Sequence, residues 1–449
     1  MMRQLRLRSL VFACAGLIAL GIAGCGTGVS PEASVPAKLT VSPSRGVVMG
    51  GQQPVGGVTL QLYQAGTTGY GSAATPLGPT AQTTAGGNFN LPSYTCAAGS
   101  QVYLVGTGGQ PIAATMSSPA VTNNNLALMV GLGTCGGTDL NNFINVNELT
   151  TVASVWALAP FMTGIANIGS SSTNAAGLAN AFAAINEVVN TANGTTPGPA
   201  LPTGATLPTT EINTLGDILE QCINSGGGAE GDGSACGNLF KYAPNAAGTV
   251  YPTDTITAVM NIAQSPGRNV PNLNRLRSAS PVFQPALDVN SPPSDWTIAI
   301  TYTGGGLNAP TSIAADASGD VWVTNSGNSS VTELNPAGAA LSGSSGFTAG
   351  GIINSPSAIA IDTSGNVWVA NKGNNALAEL YSGGSGTLYS SNGLSTPSSI
   401  AIDGSGNIWV ANSGANPVSA FTSSGSALAG SPYSGAGTSA PVSVAVTPR

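Results

Sequence analysis

A ten-residue phrase occurs three times in the last third of the chain: DASGDVWVTN from Asp316, DTSGNVWVAN from Asp362 and DGSGNIWVAN from Asp403. Each copy follows a short apolar run that begins after Pro310, Pro356 or Pro397, and PVSVAV from Pro441 opens the same pattern a fourth time. Self-similarity at a fixed period marks a repeat architecture, in which each unit buries its apolar face against the next. Within a unit, the alternation of Val and Ile with Ala or Trp predicts two strands joined at a Ser-Gly turn, and SSVTEL, ALAEL or PVSAF predicts a third. Asp316, Asp362 and Asp403 end the first strand of each unit, where a carboxylate accepts hydrogen bonds from the backbone N–H groups of the turn. Gly319, Gly365 and Gly406 supply the permissive backbone there. These six are read as turn residues, with no catalytic role. Asn325, Asn371 and Asn412 end the tryptophan strands, and amides alone make a poor metal site.

The Pro, Asp, Ser-Gly-Asn and Val-Trp-Val positions resemble NHL repeats, and also the related virginiamycin lyase-like and SMP-30-like propellers. That resemblance implies β-propeller blades. Three complete units and the opening of a fourth fall short of most closed rings, which have four to eight blades. The expectation over 295–449 is an incomplete propeller-like array, with a strained four-bladed ring, a truncated gene or completion by a second chain as the other readings.

The start of the chain places Arg3, Arg6 and Arg8 before LVFACAGLIALGIAG, an apolar run too short to span a membrane and suited to a signal peptide over 1–24. Ile22, Ala23, Gly24 and Cys25 resemble the lipobox of bacterial lipoproteins. The resemblance implies lipidation of Cys25, a membrane partnership through that lipid, and the outer membrane or cell surface as location, since Gly26 is not the Asp that retains such proteins at the inner membrane. Residues 25–37 read as a polar tether.

Of 11 basic residues three lie in the leader, against 18 acidic residues in the chain. That balance excludes nucleic acid as a partner. Histidine is absent, which removes His-dependent triads, His metal sites and imidazole acid-base chemistry. Cys96, Cys135, Cys222 and Cys236 are an even set suited to disulfides in an oxidising compartment. Three connectivities are open on sequence; the sequential one keeps each pair inside one proposed domain.

Residues 38–136 read as short strands with Gly and Pro between them, and VTLQLY places Val58, Leu60 and Leu62 on one face. PVGGVTLQLYQAG followed by TTAGGNFNLP resembles carboxypeptidase-regulatory or Cna-B transthyretin-like domains, which implies a small β-sandwich acting as a spacer. Over 140–285 the period changes to that of short amphipathic helices, the first of them with Asn145 and Glu148 as its capping box. Glu230 and Asp232 sit in a loop with too few carboxylates for a calcium site.

The chain is thus expected to be multidomain and mainly β: a small N-terminal sandwich, a central short-helical domain and C-terminal propeller-like repeats. No catalytic residue, cofactor or metal site is assigned. The expected function is a lipid-anchored envelope or surface scaffold that binds a protein or glycan through NHL-like repeats. The alternative is a metal-dependent lyase or hydrolase of the SMP-30 or virginiamycin lyase type, which needs converging carboxylates around a divalent ion.

Overall fold

The computed structural model describes residues 37–111, 120–137, 143–414, 418–435 and 439–446. The leader, Cys25 and the tether up to residue 36 lie outside the described residues.

In the N-terminal half the alternation of TLQLYQ makes β4 (Thr59–Gln64) an inner strand of a four-stranded antiparallel sheet, with β5 (Thr75–Gln82), β8 (Gln101–Thr107) and β9 (Ala127–Thr134) in the order β5-β4-β8-β9. Leu60 and Leu62 are buried, while Thr59 and Gln61 are half-buried. Most of β8 and β9 is buried on both faces, because helices α1 (Glu148–Leu158), α2 (Ala175–Val188) and α5 (Thr255–Gln264) pack against β9. Gly131 permits the close approach: a Cβ there would lie 2.2 Å from Cδ1 of Ile185 in α2.

β9 is an edge strand, and its outward N–H groups need partners. Hydroxyls on two helices supply them. Ala127 N–H donates to Thr255 Oγ1 (2.9 Å), Met129 N–H to Thr151 Oγ1 (3.0 Å) and Gly131 N–H to Ser154 Oγ (2.9 Å). This is why Thr151, Ser154 and Thr255 are fully buried in otherwise apolar surroundings. A second sheet forms around β2 (Ser44–Gly50), which pairs antiparallel with the short Gln53–Pro54 and Asn88–Leu91 strands and parallel with Ile144–Val146.

Strands and helices here share one core that runs from Val41 to Trp296. The mainly-β expectation, with a sandwich separate from a helical domain, is therefore corrected to a mixed α and β architecture of small sheets and short helices. The layer covering β8 and β9 is helical, and period-two alternation in a strand does not reveal what covers its second face. The capping box of α1 is also corrected: Asn147 and Thr150 form it, because Asn145 is already paired with Val47 in the sheet. The disulfides are sequential, Cys96–Cys135 and Cys222–Cys236.

Residues 310–421 form three antiparallel sheets in series. Each has a leading strand (Pro310–Ala315, Pro356–Ile361, Pro397–Ile402), a tryptophan strand (Val321–Asn325, Val367–Asn371, Ile408–Asn412) and a trailing strand (Ser330–Leu334, Ala376–Leu380, Val418–Phe421). The middle sheet gains a fourth strand, Gly386–Tyr389. The tryptophan faces of the first and second sheets pack on the aliphatic face of the sheet that follows. Trp322 and Val331 meet Ile359, Val367, Val369 and Leu380, and Trp368 and Leu377 meet Ile408, Val410 and Phe421.

The propeller expectation is corrected. Side-chain packing joins the first sheet to the second and the second to the third, and among the described residues no core cluster joins the third to the first, so no closed ring is present. The opening of a fourth unit, 441–446, forms no strand. Ring closure depends on the number and relative rotation of sheets, which a local repeat does not encode.

Candidate metal centre

The three Ser-Gly turns share one backbone scheme. Asp316, Asp362 and Asp403 each accept at Oδ1 from the N–H groups two and four residues on, at 2.8 to 3.0 Å. Gly319, Gly365 and Gly406 hold φ values of 85°, 85° and 80°, a region that costs any residue with a Cβ. The indole N–H of Trp322, Trp368 or Trp409 donates to Oδ2 of the same Asp at 3.0 to 3.2 Å. Asn325, Asn371 and Asn412 are fully buried within their own sheets, where each accepts at Oδ1 from the backbone N–H 17 residues upstream.

The first turn departs from the other two in its side chains. In the second and third turns, Asn366 and Asn407 donate from Nδ2 to the Asp Oδ2 at 3.0 Å. Burial opposes ionisation of Asp362, but hydrogen bonds from Trp368, Asn366 and Ser364 outweigh it and hold the carboxyl below the usual carboxylate range. Hydrogen bonds from Trp409 and Asn407 likewise hold Asp403 well below that range. The first turn carries Asp320 where the others carry Asn, so a donor is replaced by a second carboxylate.

A second donor is missing at the same place. Glu333 faces Trp322 across the strand pair, as Glu379 faces Trp368. Glu379 accepts from the hydroxyl of Tyr389 at 2.9 Å, and Tyr389 stacks on Trp368. The residue pairing with Val331 as Tyr389 pairs with Leu377 is Phe347, which packs against Trp322 and has no hydroxyl to give. In the third sheet the position of Glu333 is Ala420.

Asp316, Asp320 and Glu333, each half-buried, thus bring one carboxylate oxygen apiece to within 4.8 Å of one another. Burial raises Asp320, and the charge of Asp316 adds to it. Burial likewise raises Glu333, with the charges of Asp320 and Asp316 adding to it. The donors are all oxygen, which matches hard divalent cations such as Ca²⁺ or Mg²⁺. A span of 4.8 Å fits ligand distances of about 2.3–2.6 Å around Ca²⁺.

Sequence reading took Asp316 as a turn residue and passed over Asp320 and Glu333. The signal was present: the first copy reads SGD where the other two read SGN. Glu230 and Asp232 do not join the cluster; within its own loop Asp232 is held below the usual range by the Ser234 hydroxyl first, then by Ser234 and Ala229 N–H.

No protein-family model and no curated protein sequence matches the chain. Among solved structures, virginiamycin B lyase from Staphylococcus aureus is similar at 21% identity, covering 26% of this chain and 39% of that one, with a TM-score of 0.23. Hydrazine synthase from Kuenenia stuttgartiensis is similar at 18% identity over 32% of this chain and 40% of that one (TM-score 0.26). A protein of unknown function from Bacteroides caccae is similar at 21% identity over 28% of this chain and 45% of that one (TM-score 0.21). The chain spans less than half the length of each. Likenesses of this extent to unrelated proteins assign neither a fold nor an activity, so the NHL-like, virginiamycin lyase-like and transthyretin-like resemblances are not sustained.

The expectation of a lipid-anchored scaffold acting through NHL-like repeats is corrected with them. It rests on a propeller that the sheets do not form. Among the described residues no helix is long and apolar enough to cross a membrane, a fact that bears on spanning helices alone. The lipoprotein signal and the lipid on Cys25 fall outside the described residues.

Proposed function

We propose that the protein is a divalent-cation-dependent enzyme of the hydrolase or lyase class, with Asp316, Asp320 and Glu333 holding the cation. One observation carries this reading: of three sister turns, only the first loses both donors that neutralise its acids and gains a carboxylate in exchange. Three acids held together by a turn and the trailing strand beside it are self-repelling, and a divalent cation relieves that repulsion. A cation bound there would supply Lewis acidity toward a carbonyl or a coordinated water. The two disulfides support an exported protein working in an oxidising compartment.

The sister turns supply the test. Asp320→Asn gives the first turn the residue that already folds in the other two, so the variant is expected to fold and to lose the cation. Calorimetric titration of Ca²⁺ and Mg²⁺ into the metal-free chain should show about one ion bound per wild-type chain and none in the variant. Chelator should lower the wild-type melting temperature only. Wild-type chain that binds neither ion, or a variant that binds as tightly, overturns the site. Binding without chelator-sensitive turnover across a panel of esters, lactones and polysaccharide lyase substrates overturns the enzyme class.

A further inference from the structure

Two triplets that read alike in the sequence are placed very differently by the fold. Asn193-Gly194-Thr195 and Asn328-Ser329-Ser330 are the two places in the chain where Asn is followed, one non-Pro residue later, by Ser or Thr. In a chain exported through an oxidising compartment such a triplet is an acceptor for an N-linked glycan, provided it lies on the surface. The two disulfides suit that compartment.

Asn193 stands at the tip of a tight turn that follows α2. Asn190 and Thr195 close the turn as an antiparallel bridge, Gly194 N–H donates to Asn190 O at 2.8 Å, and Ala192 N–H donates to Asn190 Oδ1 at 3.0 Å. The turn is anchored beside α1, where Asn145 N–H donates to Thr191 O at 2.8 Å and Asn147 Nδ2 to Gly194 O at 2.9 Å. Gly194 is buried there with φ of 71°, while Asn193 and Thr195 are exposed. Thr195 Oγ1 donates to Asn193 Oδ1 at 2.8 Å, and among the described residues Asn193 Nδ2 has no hydrogen-bond partner. The amide that would carry a sugar and the hydroxyl that a transferase reads both belong to exposed residues of one rigid turn.

Asn328 is also exposed, but its triplet is built into the first sheet. Its Nδ2 donates to Gly306 O at 2.9 Å. Ser330, 0% exposed, opens the trailing strand, donates to Asn328 Oδ1 at 2.8 Å and accepts from Asn325 Nδ2 at 3.2 Å. Presenting that hydroxyl to an enzyme requires pulling a strand out of its sheet, which costs far more than opening a surface turn.

We infer that Asn193 is a glycan-acceptor site of the folded chain and that Asn328 is not. The donor is an oligosaccharide joined through a diphosphate to a lipid, and the catalyst is an oligosaccharyltransferase. Asn193 Nδ2 attacks the anomeric carbon of the donor. The bond from that carbon to the diphosphate oxygen breaks, the lipid diphosphate leaves with the electron pair, and one amide proton passes to a base of the transferase. Thr195 positions the triplet through its hydroxyl and takes no part in the bond change.

Peptide mapping of the full chain purified from the cells that make it should find an oligosaccharide on Asn193 and none on Asn328. In vitro, the folded full chain given a transferase that reads Asn-x-Ser/Thr and a lipid-diphosphate oligosaccharide should accept about one glycan at Asn193 and at least about tenfold less at Asn328. Unfolding the chain first should let Asn328 accept as well. Asn193→Gln and Thr195→Ala should each abolish transfer to the folded chain while leaving the melting temperature near that of wild type. An unmodified Asn193 in the chain from its own cells, no transfer to the folded chain, or transfer at Asn328 as fast as at Asn193 overturns the proposal. An Asn328 that stays unmodified after unfolding overturns its protection by the sheet. The mapping of wild-type chain decides the acceptor site even if a variant does not fold.

Discussion

At the scale of single residues, Glu148 is an acid held in the core rather than in a turn. It is fully buried in α1, and its two carboxylate oxygens accept from the N–H of Gly51 at 2.9 and 3.0 Å. Burial pushes it up to about 8 against those hydrogen bonds, and the charges of Glu220 and Asp217 push the same way as burial. Asp217, whose Oδ1 accepts from Val282 and Phe283 N–H, is raised to about 6, again by burial first. In the folded chain Glu148 stays protonated at pH values where the unfolded chain has released that proton. The unfolded state therefore binds fewer protons, and stability falls as pH rises from about 4.5 through about 8. The loss is on the order of a few kcal/mol. Asp217 contributes its share below about pH 6, and the comparison with Glu148→Gln above about 6.5 separates Glu148 from other raised acids such as Glu187. Urea midpoints measured between pH 6.5 and 8.5 should fall for wild type and stay nearly level for Glu148→Gln, whose neutral amide keeps an acceptor for Gly51. Parallel slopes in the two proteins would refute the assignment.

At the scale of elements, polar residues on apolar faces explain both what sequence reading missed and what holds the sheet. The alternation of β4 and the Asp-x-Ser-Gly turns were legible because each is a local pattern. Thr151 and Ser154 were not: on a helical wheel they look like small residues tolerated in a core stripe. Their hydroxyls instead close the edge of β9, a role that appears only once the helix lies along that strand. The same limit applied to the candidate metal centre, where Asp320 is adjacent in sequence to the turn but Glu333 arrives from the trailing strand and Phe347 from the segment after it. Thr151→Val keeps the shape of the side chain and leaves Met129 N–H buried without that acceptor. Such a loss costs about 1–3 kcal/mol. Thermal and urea unfolding should show a drop of that size, and Thr163→Val, at an exposed hydroxyl that donates to Gly71 O at 3.2 Å, should show much less. Equal effects would mean that the edge contacts contribute nothing beyond ordinary surface bonding.

At the scale of the whole molecule, the sequence marked where strands and helices lie without showing which of them share a core. Residues 38–136 read as a self-contained sandwich, yet the face of the sheet bearing Tyr103, Val105 and Met129 turns toward α2. Tyr103 pairs with Gly131 and Val105 with Met129, and the missing side chain of Gly131 is filled by Ile185 and Phe182. Tyr103 also donates its hydroxyl to Ile165 O at 3.0 Å, beyond the sandwich boundary. Without the helices those three side chains, 0 to 2% exposed, would meet water. At about 1.5–3 kcal/mol each, that loss is comparable to the net stability of a domain, about 5–15 kcal/mol. The loss of the edge hydroxyls and of the Ile144–Val146 strand beside β2 adds to it. An isolated 38–136 segment should therefore show no cooperative thermal transition and little amide dispersion by NMR, with its Cys96–Cys135 bond intact. A segment running to residue 296, where the shared core ends, should melt cooperatively with strand and helix signals lost together. A cooperative fold in the shorter segment would show that the helices cover a sheet already stable without them.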